Sequence, residues 1–321
     1  MGECYLYRLP NELLLHLLTP IPTPELLKLT TISHRIYTLI LRILHNRLTA
    51  AAELHSHSML LECFHPSAKL TEPPYFCTYR CTDGLTRYGE TDSSTKEVDR
   101  LGEMYHMYSR FRPHRRNLEA GGRRVKPRPG DVPGSRTFPG AVQEKYEGET
   151  VKQTLGLEAH ELFTQLVAQT NLVKIGSHNL FTNFVDIEEG VLRVWREWLR
   201  DIAVKSSTTN TEVPVETVEE IGKGKQVVRG VEEEEMADLE DPRILWVSPR
   251  KDSGIRFNVR ERKLRRDAPI LISTDEDMPV TYDIELDELL IRTSHLLLML
   301  EKSMLQEDNS SGKAVVFGSF G

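Results

Sequence analysis

Leu9-Pro10-Asn11-Glu12-Leu13-Leu14-Leu15-His16-Leu17-Leu18 is the stretch from which the rest of the chain is best understood. A Leu-Pro pair opens a leucine-dense helix, in which Leu13, Leu14, Leu17 and Leu18 recur at the spacing of a helical stripe. A proline-rich break follows at Pro20-Ile21-Pro22-Thr23-Pro24. Thr23 before Pro24 reads as an N-cap with proline at the first helical position. The second helix places Leu26, Leu27, Leu29 and Ile32 inward. Ser33 caps a third helix, in which Ile36, Leu39, Ile40, Ile43 and Leu44 share a face and which continues into the alanines at 50 to 52. Three short helices this apolar cannot bury all their leucines against one another. Part of that surface calls for a partner, so the chain begins with a docking module.

Beyond residue 53 the periodicity changes. Met59 to Phe64 and Tyr75 to Tyr79 read as strands, punctuated by Pro66, Pro73 and Pro74. A polar, Gly- and Pro-rich stretch follows, with a short island at Leu101 to Tyr108 and an expected disordered basic insertion over 113–150. Order returns over 151–204. Glu158 to Lys174 is ambiguous between helix and strand, and Val191 to Leu199 reads as strand or helix after a turn at Gly190. A second disordered linker, acidic at Glu232-Glu233-Glu234-Glu235, spans 205–241. In 242–306, Ile255, Phe257 and Val259 alternate with polar residues, as do Tyr282, Ile284 and Leu286. Both read as half-buried strands. Leu289 to Met304 reads as an amphipathic helix, and 307–321 as a tail. The expected architecture is α+β. A helical module at 1–52 precedes one β-rich domain, for which a sandwich is one arrangement, whose first part (53–112) is too poor in apolar residues to stand alone.

The 321 residues suffice for two modest domains. Hydrophobic residues make up 39% and aromatics 7%, low for one fully packed globule and in keeping with folded parts joined by polar segments. A formal charge of −7 argues against a general nucleic-acid binder. Met1-Gly2-Glu3-Cys4 starts no secretory signal, and no segment reaches the roughly 18 apolar residues of a membrane span. Four cysteines in such a chain imply free thiols in a reducing compartment. The expected location is cytoplasmic, nuclear or both.

The N-terminal constellation resembles the F-box, the helical module that docks on the Skp-type adaptor of cullin–RING ubiquitin ligases. Leu9, Pro10 and Glu12 match the opening of the family pattern; Leu13, Leu14, Leu17 and Leu18 match its first helix. Ile21 and Pro22 match the turn, and Glu25, Leu26, Leu27 and Leu29 the second helix. Ile32 stands for the usual valine, Ser33 matches, and Leu39 matches the closing leucine. His34 departs from the basic residue of the pattern, though Arg35 follows, and Ile36 stands where an aromatic is common, beside Tyr37. The match covers residues 5 to 48, and the Glu62-Cys63-Phe64-His65-Pro66 run with the stretch from Arg260 to Pro269 looks like that of fungal F-box proteins without repeat receptors. The resemblance implies a non-catalytic substrate-receptor subunit of an SCF-type ligase, without a cofactor. Leu9, Pro10, Glu12, Leu13, Leu14, Leu17, Pro22, Leu26, Leu27, Leu29, Ile32 and Ser33 would contact the adaptor, and the C-terminal region would hold an unknown protein target. An adaptor-binding scaffold without a cullin, and a nucleic-acid binder using a basic loop, are the alternatives.

Other constellations are weaker. Cys63-x-His65 and Cys77-x3-Cys81, with His55 and His57, could hold zinc, but lack paired CxxC spacing and sit in apolar runs where a thiol packs as a small hydrophobe. No nucleophile elbow, phosphate loop or His-Glu-x-x-His run points to an enzyme. Arg110, Arg112, Arg115, Arg116, Arg123, Arg124, Lys126 and Arg128 read as a basic loop, either solvated or a nuclear import signal. Trp195 and Trp198, spaced i, i+3, read first as core residues; on a strand they would face opposite sides, leaving one exposed as a candidate target contact.

Overall fold

A proline-bounded apolar run folds as a helix only where its termini can be satisfied, and the N-terminal helices show how. In the computed structural model, which describes residues 8–54, 57–68, 74–85, 100–115, 117–120, 123–125, 142–145, 150–175, 181–209, 239–262 and 279–306, α1 spans Asn11–Leu18, α2 Thr23–Lys28 and α3 His34–Glu53. Ser33 caps α3 by accepting from the Ile36 amide at 3.3 Å. Arg35 donates to Asn11 Oδ1 (2.8 Å) and to the Leu9 carbonyl (2.5 Å), tying α3 to the start of α1. Thr23 does not cap α2 with its hydroxyl. That hydroxyl donates to Glu301 at 2.6 Å, and the Thr23 amide donates to the other Glu301 oxygen at 3.1 Å.

The rest of the fold is a single antiparallel sheet of nine strands: β1 (His57–Phe64), β2 (Tyr75–Thr82), β3 (Tyr108–His114), β7 (Val151–Leu157), β8 (Phe163–Ile175), β9 (Phe181–Trp195), β10 (Ile244–Trp246), β11 (Ser253–Glu261) and β12 (Val280–Arg292). Its order is β10-β11-β12-β3-β2-β1-β8-β9. β12 is long enough to pair with β7 along Val280–Leu286 and with β3 along Leu289–Arg292. Strand twist curls the sheet into a nearly closed barrel rather than the sandwich that alternation alone allows. The two terminal strands approach at Gly190 of β9, where a Cβ would lie 2.7 Å from Val247 Cγ1 and 3.0 Å from the Val247 carbonyl oxygen. Glycine is what lets the wall come together there.

Register shifts on β12 and β2 set which of their side chains face in. β11 pairs Arg256 with Glu288 but Phe257 with Leu286, so Asp287 bulges. Tyr282, Ile284 and Leu286 point inward before the bulge, and Leu289 and Ile291 after it. A second shift on β2 leaves Arg80 unpaired in register. On the outer face, the buried Glu288 carboxylate lies 2.7 Å from Arg80, 2.7 Å from Arg256 and 3.8 Å from Arg110, and Arg110 also pairs with Asp83. Arg110 and Arg112 therefore belong to β3 and not to the basic loop expected there. Within 113–150, three short strands, β4 (Asn117–Ala120), β5 (Arg123–Val125) and β6 (Val142–Lys145), form a separate sheet of order β5-β4-β6 where no structure was expected. Arg116, Lys126, Arg128, the acidic run at 232–235 and the tail 307–321 lie outside the described residues.

Three more helices complete the molecule: α4 (Arg100–Tyr105), α5 (Arg196–Thr209) and α6 (Thr293–Leu305). α5 starts directly after Trp195 and reaches into the expected linker; its Leu199 and Ile202 join Phe257 in the core. The expected helix at Leu289–Met304 is strand until Arg292 and helix from Thr293. Leu289, Leu290 and Ile291 are buried on both faces, so neither period is visible in them. One hydrophobic core runs from Leu14, Leu18, Leu26 and Ile40 of the helices through Leu296 and Leu300 of α6 to Met59, Leu172 and Phe257 of the barrel.

The helices are therefore bound to the barrel through α6. Arg47 of α3 donates to Glu301 (3.0 Å), to Thr23 Oγ1 (2.7 Å) and to the carbonyls of Thr19 (2.8 Å) and Ile21 (2.6 Å). His57 Nε2 and Ser303 Oγ share a hydrogen bond at 3.0 Å, and Asn183 donates to the Ser303 carbonyl at 2.7 Å. Removing the carboxylate by Glu301→Ala leaves Thr23 and Arg47 without it, which should cost about 1–3 kcal/mol. Urea unfolding of the variant, read as a lowered midpoint at unchanged slope, checks this.

Candidate protein-docking surface

A helix whose apolar residues occur in adjacent pairs carries two apolar faces, and only one of them can face its own core. In α1, Leu14 and Leu18 point inward, while Leu13 is 48% and Leu17 54% exposed. In α2 and the 3-10 turn after it (Leu29–Thr31), Leu26 is fully buried, while Leu27 is 39% and Ile32 54% exposed. The reading that put Leu27 and Ile32 inward with Leu26 is corrected. A helix of six residues followed by a 3-10 turn rotates them away from α3.

The twelve candidate contact residues divide accordingly. Pro10, Glu12, Leu13, Leu17, Pro22, Leu27 and Ile32 are exposed. Leu9, Leu29 and Ser33 are partly buried, Ser33 as the α3 cap. Leu14 and Leu26 are core residues of this chain and anchor the helices; their side chains are not on the exposed face. Covering Leu13, Leu17, Leu27 and Ile32 at about 1.5–3 kcal/mol per fully buried side chain would offset much of the cost of association.

On the α6 side of the same helices, an apolar groove of about 600 Å³ runs between the α1–α2 turn, the end of α3 and α6. Pro22, Ala51, Leu54, Leu298 and Met304 are among its walls. Leu298 and Met304 are exposed large hydrophobics, a feature absent from the sequence reading because the tail end of an amphipathic helix shows the same pattern whether covered or not.

The remaining candidates are scattered over the barrel and α5. Cys63 and Cys77 point into the barrel core, on strands whose register pairs Cys77 with Met59. Burial pushes the Cys63 thiol up to about 12 and the Cys77 thiol higher still, so both pack as neutral thiols in the core. His65 bonds Ser67 and His57 bonds Ser303; His55 lies outside the described residues. Among the described residues no three His, Cys, Asp or Glu side chains are grouped to hold a metal, and no helix among them is long and apolar enough to cross a membrane. Trp198 lies on α5, donates its indole N–H to the Pro242 carbonyl at 2.8 Å and meets Phe257 edge-on. Trp195 ends β9 and is 47% exposed.

Comparison of the chain with protein-family models, with curated proteins and with solved structures finds no match.

Two outcomes follow from this placement. Leu26→Ala should cost about 2–5 kcal/mol by opening a core cavity, whereas Leu27→Ala, one residue on, should change stability by under about 1 kcal/mol; paired urea titrations separate them. Iodoacetamide at pH 8 should leave Cys63 and Cys77 unmodified in the folded chain and label both in urea, read by peptide mass mapping.

Proposed function

We propose that this chain is the substrate-receptor subunit of an SCF-type cullin–RING ubiquitin ligase, docking a Skp-type adaptor through α1, α2 and the start of α3 and a protein target through the barrel. The observation that carries the reading is the two-faced character of the N-terminal helices. Leu14, Leu18 and Leu26 fasten them to the rest of the chain, and Leu13, Leu17, Leu27 and Ile32 stay uncovered beside Pro10 and Pro22. Exposed apolar side chains on an anchored helical module suit a protein partner. The F-box-like spacing of these same positions names the partner as a Skp-type adaptor.

In such an assembly the chain performs no bond chemistry. It holds a target lysine near the charged conjugating enzyme, and the rate gain is that of proximity. The tie between α2, α3 and α6 serves this role, because an adaptor seated on α1–α2 would then sit in a fixed relation to a target on the barrel.

Pulldown of purified Skp-type adaptor by the full chain tests the reading. Leu13→Asp with Leu17→Asp should weaken binding at least tenfold while the thermal midpoint stays near that of the unchanged chain, since neither side chain is in the core. Undiminished adaptor binding by that double variant, and by Leu9→Ala with Pro10→Ala, overturns the assignment. Co-purification of a cullin with the adaptor complex supports the ligase; adaptor without cullin points to the scaffold.

A further inference from the structure

The outward face of the β8–β9 ribbon is built like a binding surface. Its register sets Phe163 opposite Trp195, Gln165 opposite Arg193, Val167 opposite Val191 and Gln169 opposite Glu189. Leu166, Ala168, Leu192 and Val194, which alternate with these, point into the core. Glu189, Val191, Arg193 and Trp195 are accordingly exposed, together with Phe163 and the preceding Leu162.

The patch is ordered before any partner arrives. The Phe163 and Trp195 rings are 5.1 Å apart and tilted by 56°. The Arg193 guanidinium lies 5.0 Å from the centre of the Phe163 ring. Rings and guanidinium held in place lose little freedom on binding, and Trp and Arg are the residue types that dominate interface energetics. Among the described residues Arg193 forms no ion pair, so its charge is available to a partner.

Charge decides which partner. Two residues along a strand advance about 6.8 Å, so the ribbon presents an aromatic rung, a cationic rung, an aliphatic rung and an acidic rung at that interval. A nucleic-acid strand brings a phosphate at every step and calls for a series of cations. Here one arginine stands alone, with Glu189 on the same face. An extended protein segment repeats its side chains at the same interval as the rungs, and an apolar, acidic, apolar order at alternate positions matches them.

We propose that Phe163, Trp195, Arg193 and Val191 form the target-docking face of this chain, taking an extended protein segment with apolar, acidic and apolar side chains at alternate positions. The proposal rests on the substrate-receptor reading and gives the target its chemistry.

An array of immobilised heptapeptides, varied at positions 1, 3 and 5 among apolar, acidic and basic side chains and probed with the purified full chain, tests it. Peptides of apolar–acidic–apolar order should retain at least tenfold more protein than scrambled ones. Trp195→Ala should remove that retention, and Arg193→Glu should switch the preferred middle residue from acidic to basic. Both positions are exposed, and the charge switch is a gain that a merely unfolded variant cannot give. No enrichment, or an acidic preference that Arg193→Glu leaves in place, overturns the proposal. So does binding of a single-stranded oligonucleotide that Trp195→Ala abolishes without any peptide selection. Adaptor pulldown with Arg193→Glu separates the two readings. Intact adaptor binding with no peptide selection in the parent chain sinks the docking face alone. Peptide selection without adaptor binding keeps the face and sinks the ligase assignment.

Discussion

Glu301 reaches across 278 positions of sequence to hold both the amide and the hydroxyl of Thr23, with Arg47 closing the triangle. The arrangement works because each member satisfies a group that would otherwise be stranded. The Thr23 amide is a free donor at the start of α2, and a carboxylate there is favoured by the helix end. Arg47 in turn takes up the carbonyls of Thr19 and Ile21, which the proline-rich turn leaves without helical partners. Without this junction the first two helices would be held by Leu14, Leu18 and Leu26 with their partly buried neighbours, and by the bonds of Arg35 to Asn11 and the Leu9 carbonyl.

The barrel follows from a different constraint, the parity of one 13-residue strand. β12 must present alternate residues to the core, yet it must also deliver the acidic Glu288 to the outside and continue into α6. The bulge at Asp287 resolves the conflict by shifting the alternation by one residue. Glu288 is thereby aimed at Arg80 and Arg256, from strands on either side of β12. A carboxylate this buried is tolerable only with such partners. The same shift explains why Leu289 to Ile291 look apolar on both faces.

Much of this was legible in the sequence, and the losses have physical causes. The three N-terminal helices are marked by prolines, Ser33 and leucine spacing, and the strands around Phe257 and Ile284 by strict alternation. What periodicity cannot say is which of two apolar faces is covered. Leu13 and Leu14 have equal claims by composition, and only the position of α3 and α6 decides between them. Alternation also cannot tell a sandwich from one sheet rolled on itself, since both ask for every second residue inside. The switch from strand to helix at Arg292 was hidden by burial on both faces. The strands between residues 117 and 145 were masked by glycine and proline. The cluster around Glu288 draws on residues from 80 to 288, a separation at which no local pattern survives. The exposure of Trp195 did not follow from the spacing of Trp195 and Trp198, which reads first as a core pair and leaves one outside only if both share a strand. Trp195 ends a strand and Trp198 belongs to the helix that follows.

The bond between Thr23 and Glu301 also has a temporal meaning. During synthesis α1 and α2 emerge hundreds of residues before α6, and contacts this distant in sequence form late because the intervening chain must first be closed into a loop. The helices can pack on α3 early, through Arg35 and their own leucines, but their tie to α6 closes only when the final helix has been made. In this way one carboxylate makes the junction between the second helix and the last one wait on completion of the final strand that leads into it.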